Sequence, residues 1–157
     1  MRKDRNSQDS QKSDFSLPRS KILRGRRNFQ RLFEKSTVLN SNSLQFRYRI
    51  YQNPDEGCFI GFIAPKKKIR GAVKRNRVKR LLREVYRTHQ YYLQELFSGK
   101  TFGLHGVFIA NRPDVTFAEI REEMVPILEN LRGRLQRLEN KLPEKDKPET
   151  PAPNSEN

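Results

Sequence analysis

A basic segment between residues 66 and 83 constrains this chain more than any other feature. It holds ten Lys or Arg residues and no Asp or Glu: Lys66, Lys67, Lys68, Arg70, Lys74, Arg75, Arg77, Lys79, Arg80 and Arg83. Val78, Leu81 and Leu82 interrupt the charges at the spacing of a folded helix with one apolar side, which a disordered basic tail would not need. The segment therefore predicts a rigid basic face, which is typical of a surface that binds a shaped polyanion.

The overall charge points to the same class of partner. The 157 residues include 33 basic and 18 acidic side chains, which gives a formal net charge of +15 and a pI near 10.4. This balance favours nucleic acid, because each neutralised phosphate releases condensed counterions. A membrane surface is the weaker alternative, since no apolar run approaches the roughly 20 residues of a spanning helix and no signal peptide is apparent.

Cysteine usage gives an expectation about the compartment. Cys58 is the only cysteine, so the chain cannot form an internal disulfide. It falls in an apolar segment, where a small buried hydrophobe is the favoured interpretation over a reactive thiol. We therefore expect a soluble protein of the reducing cytoplasm.

One helix and two strands are predicted in the first half of the chain. Three apolar residues at helical spacing indicate a short helix over about 28–35. They are Phe29, Leu32 and Phe33. Residues 44–51 alternate in the period of a strand, with arginines on one face. A turn-rich segment then leads to a largely apolar strand over 58–64, and we expect the two strands to pair as an antiparallel hairpin.

The second half of the chain predicts two helices and another strand. An apolar stripe indicates a long helix over about 71–97. Its members are Val78, Leu81, Leu82, Val85, His89, Leu93 and Leu96. An apolar strand follows at 104–110. Thr116 and Glu119 form a capping-box pattern before the last helix, in which Pro126 should introduce a kink or a split.

The order of these elements predicts the fold class. Helix, strand, strand, helix, strand and helix indicate an α+β fold, a two-layer α-β sandwich in which helices pack on one small sheet. We assign an RNA-binding domain to residues 21–135. Residues 1–20 are polar and are expected to be a disordered extension, and the proline-bearing residues 136–157 are expected to be a flexible tail.

The basic helix could be no more than a solvated charged face. Like charges three and four residues apart repel by a few tenths of a kcal/mol per pair, a cost that only a polyanionic partner offsets. Guanidinium groups at this density suit the irregular backbone of a folded RNA. DNA recognition is less favoured, because Asn76 is the only base-reading side chain among the charges. RNA contact is therefore the preferred interpretation.

The same residues resemble the signature of the protein component of bacterial ribonuclease P. The matching residues are Lys66-Lys67, Ala72-Val73 and the run Arg75-Asn76-Arg77-Val78-Lys79-Arg80-Leu81-Leu82-Arg83-Glu84. Segments 29–33 and 110–113 and the pair Gly61-Phe62 also fall where that family has related residues. The resemblance covers about 17–135.

The resemblance implies a function and an unusual topology. The family's enzyme removes the 5′ leader of precursor tRNA, and its catalyst is a large RNA that uses Mg²⁺. The protein is an accessory subunit that strengthens substrate binding, and no cofactor is expected on the protein itself. The expected partners are ribonuclease P RNA and precursor tRNA, with no membrane and no DNA. The family's βαβ crossover is left-handed, against the usual rule.

The resemblance also assigns residues to two binding surfaces. Contact with the catalytic RNA falls to Lys66, Lys67, Arg75, Asn76, Arg77, Lys79, Arg80 and Arg83. A cleft between the first helix and the sheet would hold the single-stranded leader through Phe29, Phe33 and Tyr48. Without the resemblance, Phe29 and Phe33 would be taken as ordinary core residues. Single-stranded RNA does stack on aromatic side chains, so an exposed aromatic cleft could hold leaders of any sequence.

Other functions are less well supported by the residues. His89 lies on the apolar stripe, and His105 has no partner near it in the sequence. The acidic pairs at 55–56 and 122–123 do not resemble a metal or an acid–base site, and no Cys and His spacing suits zinc. We therefore expect no catalytic residue and no metal site on the protein. A ribosomal or ribosome-assembly protein is the alternative function.

Overall fold

The computed structural model describes residues 16–97 and 101–141. Within these ranges there are four helices and four strands: α1 (Arg26–Glu34), β1 (Thr37–Asn40), β2 (Leu44–Tyr51), β3 (Cys58–Ile63), α2 (Ala72–His89), α3 (Tyr91–Phe97), β4 (Gly103–Ala110) and α4 (Phe117–Lys141). Short 3-10 turns lie at Arg19–Lys21 and Pro54–Glu56. The predicted α+β class is confirmed, and β1 is a strand that the sequence did not reveal because it is only four residues long and mostly exposed.

The sheet has the strand order β1-β2-β4-β3. β2 pairs antiparallel with both β1 and β4, and β3 pairs parallel with β4. The predicted hairpin between β2 and β3 is therefore wrong, because β4 lies between them. Seven of the eight β4 residues are buried, and such a strand gains most from an inner position in the sheet. The left hand of the β3–α2–β4 crossover stays a prediction of the resemblance.

The two faces of the sheet are covered to different extents. Helices α2, α3 and α4 pack on one face, where Phe46, Phe108 and Leu82 belong to a core cluster that is closed to solvent. On the other face α1 covers a smaller cluster, which includes Leu32 and Val107. A single short helix thus leaves part of the second face open, beside α1.

The predicted helix over 71–97 is two helices that meet at Gln90. The Gln90 side chain is buried, and its Nε2 donates hydrogen bonds to the carbonyl oxygens of Ser16 and Arg87 at 2.8 and 2.9 Å. Arg87 lies in α2 and Ser16 lies outside it, so the Gln90 amide links the junction of the two helices to the chain before α1. Leaving this buried amide unpaired would cost about 1–3 kcal/mol.

The last helix is longer and more regular than the sequence indicated. The Thr116 hydroxyl accepts from the Glu119 N–H, and the Glu119 carboxylate accepts from the Thr116 N–H, so the capping box is confirmed. Pro126 lies on the exposed side and does not split the helix. Residues 136–141, predicted to be part of the tail, continue α4. The tail and extension predicted for 142–157 and 1–15 lie outside the described residues.

Candidate nucleic-acid interface

The basic face is built on α2, which begins directly after Gly71. Gly71 has φ +94°, a conformation that residues with side chains rarely adopt, so it sets the direction in which the helix leaves the preceding loop. Val78, Leu82, Val85 and Tyr86 are buried against the sheet and α4. The apolar stripe is therefore confirmed, and Tyr86, four residues after Leu82, is a further member that was not predicted.

The residues predicted to contact catalytic RNA all lie on or beside the outer side of this helix. Lys66, Lys67, Asn76, Arg77, Arg80 and Arg83 are exposed, and Arg75 and Lys79 are half-buried. Two of the guanidinium groups are fixed to the domain. Arg75 Nη1 donates to the Ile69 carbonyl at 3.2 Å, and Arg77 Nη1 donates to the Pro113 carbonyl at 3.3 Å. The face therefore combines fixed and free cations on one rigid helix.

The basic face has no acidic counterpart within residues 16–97 and 101–141. No carboxylate in these ranges lies within 4.0 Å of a charged nitrogen of the seven cations in this set, whereas ion pairs form elsewhere on the domain. Glu84, the first acid after the run, binds Arg87 at 2.6 Å, which lowers the pKa of Glu84. The positive charge of the face is thus left for a partner outside the protein.

Phe29 and Phe33 of α1 form an aromatic surface beside the open face of the sheet; we call this surface the cleft, after the one that the resemblance predicts. Phe29 and Phe33 stack with ring centroids 6.4 Å apart. Phe29 packs over Gly61, where an added Cβ would lie 3.2 Å from the Phe29 ring, so glycine allows the helix to approach the strand closely. Phe33 is 41% exposed, and the Arg47 guanidinium lies 5.4 Å from its ring centroid. The cleft therefore offers an aromatic surface beside a cation.

Tyr48 does not lie in this cleft, so its predicted place beside Phe29 and Phe33 is corrected. Successive residues of a strand point to opposite faces, which puts Tyr48 on the face that α4 covers. It is 3% exposed, stacks on Phe46 at 5.6 Å, and accepts a hydrogen bond from Arg134 Nη1 at 2.9 Å. Arg47 is the β2 residue that borders the cleft, and the alternation of residues 44–51 was the signal that could have identified it.

A polar cluster holds α1 to the end of the sheet. Arg31 binds the Glu56 carboxylate through two nitrogens, at 2.7 and 3.3 Å, and this contact lowers the pKa of Glu56. His105 Nε2 donates to the Glu56 carbonyl at 3.1 Å, so His105 has a partner that the sequence did not reveal. His105 is 2% exposed and its Nδ1 has no partner within the described residues; burial lowers its pKa. The cluster anchors the helix that carries Phe29 and Phe33.

The other residues considered for catalysis or metal binding, among them His89 and Cys58, have surroundings that suit a structural role. His89 is half-buried, and its Nδ1 donates to the Val85 carbonyl at 2.8 Å. Burial raises the pKa of the Cys58 thiol to about 12, which makes it unreactive at neutral pH. Within the part of the chain that the structure describes, no three His, Cys, Asp or Glu side chains form a group that could hold a metal ion. Over the same ranges no helix is long and apolar enough to cross a membrane.

Comparison with known sequences identifies relatives of this chain. The sequence pattern of the Ribonuclease P family matches residues 17–132. The ribonuclease P protein component of Chlorobaculum tepidum is 32% identical over 147 residues, which cover 86% of this chain and 91% of that protein. The protein of the same name from Nitrosomonas eutropha is 40% identical over 80 residues, 51% of this chain and 66% of that protein, just under two thirds of its length.

Solved structures share the fold. The ribonuclease P protein of Staphylococcus aureus superposes with a TM-score of 0.55 at 21% identity, over 71% of this chain and 94% of that one. The ribonuclease P protein of Thermotoga maritima gives a TM-score of 0.55 at 23% identity, over 69% and 96%. At these identities the solved structures support the α+β architecture alone, and membership of a family rests on the sequence matches. The chain belongs to the ribonuclease P protein family.

Proposed function

We propose that the chain is the RNA-binding protein subunit of ribonuclease P, a ribonucleoprotein endoribonuclease, and that it assembles with ribonuclease P RNA. Its basic face would dock the catalytic RNA, and the cleft would hold the 5′ leader of precursor tRNA. The observation that carries the proposal is the row of cations on α2 with no acidic counterpart within residues 16–97 and 101–141. The compartment we propose is the cytoplasm.

The basic face suits a folded RNA for two reasons. A rigid helix presents its cations in a fixed pattern, so binding costs little ordering of the backbone. Arg75 and Arg77 are already fixed by hydrogen bonds, whereas the exposed side chains of Arg80 and Arg83 can adjust to an irregular phosphate backbone. The proposed contacts are Lys66, Lys67, Arg75, Asn76, Arg77, Lys79, Arg80 and Arg83.

The cleft suits a single strand of variable sequence. Base stacking on an aromatic side chain contributes roughly 1–3 kcal/mol per base and does not depend on which base is present. Phe33 is exposed enough to receive a base, Phe29 supports it from one turn earlier, and Arg47 lies where it could meet a phosphate. We therefore propose Phe29 and Phe33 as leader contacts, add Arg47, and leave Tyr48 out because of its burial.

In this proposal the bond-breaking chemistry belongs to the RNA partner, together with the Mg²⁺ ions that the family's catalyst uses. The protein contributes fixed positive charge, which lowers the free energy of bringing two polyanions together. A lower requirement for magnesium follows, because part of the charge neutralisation no longer depends on free cations. The protein assists the enzyme by binding and positioning its RNAs.

Reconstitution tests the proposal. The full chain is mixed with a bacterial ribonuclease P RNA and precursor tRNA at a magnesium concentration too low for the RNA to act alone. We expect cleavage at the mature 5′ end from the mixture and none from the protein without the RNA. Cleavage by the protein alone, or a mixture no more active than the RNA, would contradict the proposal. The second outcome is what a ribosome-assembly protein would give.

A further inference from the structure

A second positively charged site lies at the far end of β2, away from α2. It is a pocket of about 790 Å³, open to solvent, between the end of α1, the end of β2 and the last turns of α4. Lys35, Arg49 and Arg134 line it together with Thr37, Gln52 and the largely buried Tyr48. Among the described residues that line the pocket there is no Asp or Glu. Three cations from three separate elements thus surround one cavity.

Two of these cations are held in place by the protein. Arg134 Nη1 donates to the buried Tyr48 hydroxyl at 2.9 Å. Arg49 Nη1 donates to the Arg31 carbonyl at 2.9 Å, and its guanidinium lies 4.8 Å from the centroid of the Tyr51 ring. Each guanidinium carries five N–H donors, so most of them stay available. Guanidinium groups oriented in this way favour an anion with several acceptor oxygens, as a phosphate has.

The sheet is open where the pocket lies. β1 pairs with β2 only as far as Thr37 and Tyr48, so the last three residues of β2 have a strand neighbour only on the β4 side. Arg47, which borders the cleft, and Arg49, which lines the pocket, are two residues apart on one face of β2. That spacing corresponds to about 7 Å along the strand. A strand of RNA leaving the cleft in this direction would reach the pocket next.

We propose that the Lys35/Arg49/Arg134 pocket binds backbone phosphates of the same single RNA strand that the cleft holds. The inference rests on the proposed function of the cleft and extends it, since it assigns a second contact to the distal part of the precursor's leader. The contact is electrostatic and independent of sequence. It is separate from the basic face, because no residue of α2 lines the pocket.

The test compares a precursor whose leader is about two nucleotides long with one whose leader is about ten; only the longer leader falls within the site sizes of single-strand binding proteins. Affinities are measured with the reconstituted holoenzyme for the wild type and for the variant Lys35→Gln with Arg134→Gln. We expect the variant to lose about tenfold in affinity for the long-leader precursor and nothing for the short-leader precursor. For the long-leader precursor, the slope of log affinity against log salt should be smaller in the variant by roughly 1.4, the value for two single-strand phosphate contacts.

A matched control uses Lys21→Gln with Arg121→Gln, which removes one lysine and one arginine that are exposed and lie outside the pocket. This control should behave as the wild type. Thermal unfolding of each variant checks that the fold is retained, because Arg134→Gln changes a partner of Tyr48. An equal loss for both leader lengths, no loss for either, or the same loss in the control would overturn the inference.

Two further outcomes separate this inference from the proposal on which it rests. If the wild type itself binds both precursors equally, the proposed function of the cleft fails and the pocket inference fails with it. If the wild type prefers the long leader and the pocket variant keeps that preference in full, only the pocket inference fails. Weakened binding of the variant to ribonuclease P RNA without substrate would assign the pocket to the catalytic RNA, which contradicts the inference.

Discussion

The basic face of α2 and the cleft beside α1 both carry arginines, but the surroundings of those arginines differ. In the cleft region Arg31 binds Glu56, Arg47 Nε donates to the Gln45 side chain at 2.9 Å, and Arg49 donates to the Arg31 carbonyl. Each also lies over an aromatic ring. On α2, Arg75 and Arg77 donate to backbone carbonyls, but Arg80 and Arg83 are exposed and meet no carboxylate in the described ranges.

The difference indicates two ways of binding RNA. Cations without protein partners keep their side-chain freedom and their full charge, which suits a large structured polyanion whose affinity depends on counterion release. Arginines that the protein already orients lose little entropy on binding, which suits a flexible single strand that must itself be ordered. The two surfaces should therefore respond differently to salt and to substitution.

Asn76→Glu would remove the difference between the two surfaces, because it gives the arginines of the basic face a carboxylate partner within the protein. A glutamate four residues before Arg80 favours the helix by about 0.2–0.5 kcal/mol, so thermal stability should rise slightly. Affinity for ribonuclease P RNA should fall by about 30-fold, because the new carboxylate repels phosphate and engages Arg80. Asn76→Gln is the neutral control. Unchanged RNA affinity in the glutamate variant would show that this part of α2 is not at the interface.

Phe33→Ala tests the same difference between the two surfaces, this time at the cleft. Loss of one stacking surface is worth roughly 1–3 kcal/mol, so affinity for precursor tRNA should fall by about tenfold. Affinity for mature tRNA, which lacks the leader, should stay the same, as should affinity for ribonuclease P RNA. Equal losses for precursor and mature tRNA would mean that Phe33 has only a packing role.

Gly61→Ala tests whether the seating of α1 controls the cleft. The added methyl group would lie 3.2 Å from the Phe29 ring and 3.3 Å from the Leu23 side chain, so α1 must shift by a few tenths of an ångström. We expect the preference for precursor over mature tRNA to fall by about threefold. Binding of ribonuclease P RNA should not change, since α2 packs on the opposite face. Full retention of the preference would show that the cleft tolerates movement of the helix.

The smallest effect concerns pH. Burial lowers the pKa of His105 in the folded protein, so the unfolded chain takes up a proton first as the pH falls below 6.5. The neutral form of the buried His105 side chain contributes to the stability of the fold above that pH, and this contribution decreases below it. The midpoint of thermal unfolding should fall by a few degrees from about pH 7 to about pH 5.

A histidine substitution separates this contribution from the others. His105→Phe should reduce the decrease in the unfolding midpoint. Glu56, Arg31 and Arg49 also face His105. Of these, Glu56 has a lowered pKa, so its contribution is lost at a more acidic pH. An identical pH dependence in the wild type and in His105→Phe would contradict the assignment.

The local features of the fold could be predicted from the sequence, but the strand order could not. The 3.6-residue period located α1 and α2, and the Thr116 and Glu119 pattern located the start of α4. The position of β4 between β2 and β3 depends on contacts distant in sequence, which no local pattern records. The prediction of Tyr48 as a cleft residue came from the family resemblance and was wrong. The alternation of β2 places Tyr48 on the opposite face of the sheet, where it is buried.

The polar contacts of the site could not be predicted from the sequence either. Glu56 lies 25 residues from Arg31 and 49 residues from His105, so only the folded sheet brings the three together. The same holds for the contact between Arg134 and Tyr48, which are 86 residues apart. The basic run on α2, in contrast, is contiguous in the chain, so its helical spacing alone is enough to indicate an exposed face.

The most direct test of the account is the salt dependence of binding to ribonuclease P RNA, compared between the wild type and Arg80→Ala with Arg83→Ala. If the basic face of α2 docks this RNA, the slope of log affinity against log salt should fall by about two units in the variant, and its affinity should be weaker at every salt concentration. An unchanged slope would remove these arginines from the interface and contradict the central claim.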